Sequence, residues 1–264
     1  MDKVISKDGT EIAYERVGAG PTVILVGGAF CDHNATTELA NKLARNFTAV
    51  SYDRRGRGES GDTQPYDVQR EIEDIEALIA HFGDRAFVHG LSSGSALCLI
   101  AAAGGAPIDA VSVMEPPYRV GEDAPQPPEG YTDTIVELTS TDRRGEAVAY
   151  FMTKAVGQPE EAVEEARKMP MWPGLEAMAH TLAYDARAMG GDASPLPENM
   201  LATLTAPTLA LFSTGSPEWL QAGAQAIEKV APNAECVGLP GTFHEVPLAT
   251  LVPTLKDFYL RSSR

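Results

Sequence analysis

Two kinds of apolar pattern alternate along this chain, and together they predict alternating strands and helices. Residues 3–17 carry apolar side chains at Val4, Ile5, Ile12, Tyr14 and Val17 around Asp8-Gly9, which predicts a β-hairpin. Thr22–Val26 is a short unbroken apolar run ending in Gly27-Gly28-Ala29-Phe30, as a buried strand would. Leu39 and Leu43 mark a helix, 47–53 a strand, and Ile72, Ile75, Leu78, Ile79 and Phe82 recur with helical period. Ala86–Leu91 reads as a strand and 95–103 as a buried helix. A further strand at 110–114 ends in Glu115-Pro116-Pro117-Tyr118. Such alternation predicts an α/β fold with a parallel sheet wrapped by helices.

Between 118 and 206 no strand-like run occurs. Pro125, Pro127 and Pro128 mark a loop, and 131–139, 145–157, 159–169 and 174–189 read as helices. The pattern predicts a helical insertion over 118–206, carried by core segments 1–117 and 207–264. Its Phe151, Met152, Met169, Met171, Trp172 and Met178 suit either a private core or a lid over an apolar pocket. The α/β pattern resumes with a strand at Thr208–Ser213. A helix follows, with Ser216 as expected N-cap and Pro217 at its first position. Ala234–Leu239 is the last strand. The loop Pro240-Gly241-Thr242-Phe243-His244 leads into a final helix to about Leu260.

One strand-to-helix corner carries candidate chemistry. Gly90-Leu91-Ser92-Ser93-Gly94 fits G-x-S-x-G, in which glycines two places either side let a helix pack tightly against a strand. The serine hydroxyl is then held out above the sheet. The bare motif arises by chance in roughly one chain in ten of this length, so its context must decide. A serine nucleophile needs a base, an acid to orient that base, and donors for an oxyanion. Of the five histidines, only His244 lies in a loop directly after the last strand, on the rim that Ser92 faces. His89 is expected to pack into the sheet, His81 to lie on a helix surface, and His33 to start a helix near the site.

Composition narrows the function further. Of 264 residues, 44% are hydrophobic and 22% charged, which suits a globular protein with one large domain and an insertion. The net charge of −16 repels phosphate backbones and anionic lipid, so neither nucleic acid nor membrane is expected as partner. No apolar stretch reaches membrane-span length, and MDKVISKDGT lacks a signal-peptide core. The three cysteines fit a reducing, cytoplasmic setting, with Cys98 and Cys236 expected in the core and Cys31 in a loop near the site. No metal or cofactor is expected: the histidines are scattered, and no H-E-x-x-H or C-x-x-C pair occurs. Gly56 to Gly61 fits G-x-G-x-x-G but leads into a turn at Asp62 to Pro65, not into the helix a dinucleotide needs. Nothing in the sequence fixes an oligomeric state, and a homodimer stays open.

The whole chain resembles the α/β-hydrolase family. The resemblance rests on Gly90 to Gly94, on Gly27-Gly28, on the loop Gly241 to His244, and on Asp53-Arg54-Arg55-Gly56-Arg57-Gly58-Glu59-Ser60, which is similar to the family's D-x-R-G-x-G-x-S loop. It implies an eight-stranded, mostly parallel sheet with a helical cap, and the chain order nucleophile, acid, histidine. By the same match, the N–H groups of Ala29 and Ser93 would form the oxyanion hole, with Phe30 beside the pocket. Tyr118 and Trp172 are expected to join Phe30 in contacting substrate.

The chain departs from the family pattern at the acid. The resemblance puts an aspartate a few residues after Thr208–Ser213, and Ser216 stands there. Glu115 is the natural replacement, because it ends the strand beside the nucleophile's, and neighbouring strands lie about 4.8 Å apart. Certain haloalkane dehalogenases carry a glutamate at that strand end. Glu218 ranks second, although its own helix N-terminus would satisfy it. Asp53 ranks third, with a structural role pairing the arginines of its loop. A serine nucleophile argues against the family's dehalogenase and epoxide-hydrolase branches. The resulting expectation is a hydrolase of small-to-medium apolar carboxylic esters or lactones through Ser92, His244 and Glu115. Its rivals are a triad enzyme acting on a carbon–carbon bond or a specialised metabolite, and a non-catalytic binding protein.

Overall fold

The computed structural model describes residues 1–121 and 123–262. Eight strands form one sheet: β1 (Asp2–Ile5), β2 (Glu11–Val17), β3 (Thr22–Val26), β4 (Thr48–Tyr52), β5 (Ala86–Leu91), β6 (Ile108–Met114), β7 (Thr208–Ser213) and β8 (Ala234–Leu239). Their order is β1-β2-β4-β3-β5-β6-β7-β8, antiparallel as far as β4 and parallel from there on. Alternate residues of β3 feed opposite faces. Ile24 and Val26 pack with one core, Val23 and Leu25 with the other. Helices α1 (Asn34–Leu43), α2 (Val68–Phe82) and α3 (Ser93–Ala103) cross between the early strands. α2 and α3 cover the first face and α1 the second, which is why β3 reads as a continuous apolar run.

Between β6 and β7 come α4 (Tyr131–Ser140), α5 (Arg144–Tyr150), α6 (Glu160–Ala166), α7 (Trp172–Met178), α8 (Leu182–Ala188) and α9 (Glu198–Leu201). They hold a third apolar core around Ile135, Val148, Trp172 and Leu182. Two predicted helices are broken. The 145–157 helix is α5 followed by a π-helical turn, Phe151–Ala155, and the 174–189 helix is α7, a 3₁₀ turn at Ala179–Thr181, and α8. Apolar spacing does not distinguish α, 3₁₀ and π turns, so the breaks were invisible in the pattern. The short α9 was not anticipated. α10 (Glu218–Val230) and α11 (Leu248–Ser262) complete the layers, α10 over the first core and α11 over the second.

Candidate active site

The sharp corner after β5 is enforced by two contacts. A Cβ on Gly90 would lie 2.6 Å from the Ser95 Cα, and one on Gly94 would lie 2.7 Å from the Gly27 carbonyl oxygen. Only glycine permits that approach. Ser92 is held between them at φ 52°, a conformation that costs a non-glycine residue free energy. Six non-glycine residues among the described ones have positive φ, and five of them gather here. Phe30, Ser92, Ser194 and His244 line one cavity, and Glu115 stands behind His244. Residue spacing carries no signature of such strain.

Ala29, Ser92, Glu115 and His244 all follow the C-terminal ends of parallel strands, β3, β5, β6 and β8. Glu115 is 0% exposed. Its Oε2 accepts from His244 Nδ1–H at 2.6 Å and from the His244 backbone N–H at 2.9 Å. Its Oε1 accepts from the Ser213 N–H at 2.8 Å and the Ser216 hydroxyl at 2.5 Å. Burial pushes this carboxyl up, but the bonds from His244, Ser216 and Ser213 outweigh it and hold the group below the usual carboxylate range. Ser216 therefore does not cap α10 as expected. Its hydroxyl is spent on Glu115, and Pro217 takes the cap position. The side chain at the expected acid position thus braces a carboxylate supplied by the next strand. Glu218 is exposed at the start of α10.

The Ala29 and Ser93 backbone N–H groups have no protein acceptor among the described residues, and both residues line the cavity. Arg57 donates to the Gly28 carbonyl, which belongs to the same peptide group as the Ala29 N–H. Arg54 donates to the Gly27 carbonyl at 3.3 Å. Both arginines converge on Asp185 of α8, Arg54 at 2.7 Å and Arg57 at 3.0 and 2.9 Å. The Ser93 hydroxyl donates to the same carboxylate at 2.7 Å. Burial pushes Asp185 up, and Arg57, Arg54 and Ser93 more than offset it, so it is held below its ordinary range. This buried carboxylate from the insertion was missed, because a lone aspartate in a helical run carries no signal of what it faces.

Three further expectations are corrected. Tyr118 is 1% exposed, packs in the core between the sheet and its helices, and does not line the cavity. Trp172 is 5% exposed and belongs to the insertion's own core, with Nε1 donating to Glu176 at 2.7 Å and Arg167 lying over its ring. Asp53 pairs with no arginine among the described residues. It accepts from the His33 N–H, His33 Nδ1 and Glu59 N–H, because Arg54 and Arg57 turn toward Asp185 while Arg55 pairs with Asp74 and Asp8. Cys236 is half-buried and packs against the first core, Cys98 is buried as expected, and Cys31 lines the cavity. His89 is buried with Nδ1 2.7 Å from the Ser112 hydroxyl, and burial pulls it down to about 4.

The cavity measures about 260 Å³ and is walled by Phe30, Phe151, Met152, Leu182, Met189 and Trp219, among others. Phe30 meets Phe151 edge-to-face at 5.3 Å. The π-helical turn brings Phe151, Met152 and Ala155 to this wall together. Trp219 was not anticipated. Its place in the first turn of α10, at the rim beyond β7, is the one signal that pointed to it.

The alpha/beta hydrolase family profile matches residues 23–250. The structure is similar to that of an alpha/beta hydrolase from Sphaerobacter thermophilus DSM 20745, with a TM-score of 0.92 and 46% identity over 98% of this chain and 100% of that one. It shares its fold with a thermophilic esterase from Thermogutta terrifontis, with a TM-score of 0.72 and 20% identity over 99% of this chain and 98% of that one. Among curated proteins, 95 residues are 36% identical to the uncharacterized hydrolase YraK of Bacillus subtilis (strain 168), over 34% of this chain and 35% of that protein. The chain thus spans about a third of the length of the curated relatives it matches. No described helix is long and apolar enough to cross a membrane.

Proposed function

We propose that this protein is a serine hydrolase of small-to-medium carboxylic esters or lactones, on the premise that the chain belongs to the alpha/beta hydrolase family. The observation that carries the proposal is the fully buried Glu115 carboxylate, bonded at 2.6 Å to the histidine that shares a cavity with Ser92. Ser92 Oγ attacks the ester carbonyl while His244 Nε2 takes its proton. Glu115 fixes the tautomer with hydrogen on Nδ1 and stabilises the imidazolium. The Ala29 and Ser93 N–H groups hold the oxyanion, and the Arg57 bond to the Gly28 carbonyl fixes the plane of the first donor. His244 then returns the proton to the leaving alcohol, and water, activated by the same imidazole, frees the acid from Ser92.

A fluorophosphonate probe tests the reading, with mass spectrometry to find the adduct. A single adduct on Ser92, followed by turnover in a chain-length series of p-nitrophenyl esters, is expected. A protein that stays unlabelled overturns it. Labelling without turnover of any ester in the series would move the reaction to another bond while keeping the nucleophile.

A further inference from the structure

Arg119 stands out among the cations of this molecule. Arg54, Arg55, Arg57, Arg70, Arg144 and Arg167, the other buried or half-buried arginines described, each have a carboxylate partner. Arg119 is half-buried and lines the cavity that holds Ser92, yet no carboxylate among the described residues pairs with it. Its Nε donates to the Pro125 carbonyl and its Nη2 to the Ala155 carbonyl at 2.9 Å. Nη1 has no acceptor among the described residues. A guanidinium withdrawn from water without a counter-ion is costly, and carbonyl dipoles compensate only part of that cost.

The cavity's own carboxylates are already committed. Asp185 is held by Arg54, Arg57 and Ser93. Asp192 accepts from the N–H groups of Gly130, Tyr131 and Thr132 and from the Thr132 hydroxyl. A second wall group is also unsatisfied. The Tyr131 hydroxyl is buried and has no hydrogen-bond partner among the described residues. Burial and then the Asp185 charge raise that phenol, and the nearby Arg119 charge acts against the rise, so the hydroxyl and the guanidinium share one electrostatic neighbourhood. A buried hydroxyl and a half-buried cation that line the same cavity, each with a donor lacking a protein acceptor, are complementary to the same ligand group.

We infer that the substrate carries a carboxylate besides its ester bond, and that Arg119 Nη1 and the Tyr131 hydroxyl receive it. The inference rests on the reading of Ser92 as nucleophile for its kinetic test only. The substrate is then an apolar acid ester, such as a half-ester of a dicarboxylic acid, with its anion at Arg119 and its hydrocarbon part against Phe30, Phe151 and Met152. Lysine at position 119 would keep the charge but lose the fork of donors.

The experiment compares kcat/KM for monomethyl succinate, glutarate and adipate with that for the corresponding dimethyl esters. The wild type should prefer at least one half-ester over its neutral counterpart by about tenfold or more. Arg119→Met should lower that preference about tenfold, chiefly through KM, and Tyr131→Phe should lower it by a smaller factor in the same direction. Arg119→Lys should keep part of it. No preference in the wild type, or equal loss on charged and neutral esters in Arg119→Met, overturns the inference. Fluorophosphonate labelling of Ser92 would survive that result, so the two readings fail separately. Calorimetry of free glutarate binding to the Ser92→Ala protein tests the anion site without turnover. Affinity should fall about tenfold in Ser92→Ala/Arg119→Met, and unchanged affinity also overturns it.

Discussion

Among the described residues, the same histidine–carboxylate arrangement occurs twice. At each, a 0%-exposed carboxylate just past a strand end accepts both the backbone N–H and the Nδ1–H of one histidine through a single oxygen. The Nδ1 distances are 2.6 Å for His244–Glu115 and 2.9 Å for His33–Asp53. What separates the two is their place relative to β5. Glu115 follows β6, which neighbours β5, whereas Asp53 follows β4, two strands from β5 on the other side. At about 4.8 Å per strand, that is one spacing against two, and only His244 reaches the cavity wall with Ser92. The second pair fastens loops. His33 follows the Gly27–Phe30 turn, and Asp53 opens the loop whose Arg54 and Arg57 hold the carbonyls of Gly27 and Gly28. A histidine–carboxylate bond by itself is a local brace, and it becomes a proton relay only beside a nucleophile.

The harshest way to break this distinction starts at Ser92, the nucleophile of the proposed reaction. Ser92→Ala should lower ester turnover by roughly 10⁴-fold or more, read as kcat at saturating substrate. Next come the two carboxylates, replaced one at a time. Glu115→Gln should lower kcat by roughly 10³–10⁴-fold with little change in KM. Asp53→Asn should instead act on the fold, at about 1–3 kcal/mol in urea unfolding, because the amide still accepts but loses its charge-assisted bonds. A kcat loss in Asp53→Asn matching that of Glu115→Gln would erase the difference between the pairs.

Asp185 tests the claim that the Asp53 side is architectural. It neutralises the two buried arginines that grip the Gly27–Gly28 turn, and it does so from the insertion. Asp185→Asn leaves the buried Arg57 without its carboxylate and Arg54 with Glu71 alone. The expected cost is about 3–5 kcal/mol of stability, seen as a fall in Tm of roughly 2–4 °C per kcal/mol. An unchanged Tm would show that Glu71, which pairs with Arg54 through both oxygens, suffices without it.

Much of this architecture was legible in the chain. Apolar runs located the strands because buried parallel strands leave no polar face, and the Ser92 corner was legible because sterics admit only glycine at 90 and 94. His244 could be singled out from its place after the last strand. The rest depended on directions rather than spacings. Trp172 and Trp219 are equally aromatic, and only packing decides that the first fills the insertion's core while the second lines the cavity. The carboxylate that Arg54 and Arg57 share lies more than 120 residues along the chain, and no local pattern links them to Asp185.

The finest distinction between the pairs is electrostatic. Glu115 receives four hydrogen bonds and Asp53 three through its side chain. Burial alone would raise the Glu115 carboxyl, yet the donors from His244, Ser216 and Ser213 hold it below its ordinary range. The folded carboxyl therefore stays ionised at a pH where the unfolded one, with an ordinary pKa of about 4.3, has begun to bind a proton. Its contribution to stability is present above that ordinary value and is lost as pH falls through the lower folded one. The amide introduced by Glu115→Gln cannot titrate. The stability advantage of wild type over this variant should thus be steady from neutral pH to about 5 and shrink below it, measured by urea unfolding at each pH. A gap that stays constant down to pH 3 would mean that the Glu115 carboxylate gains nothing from its four donors.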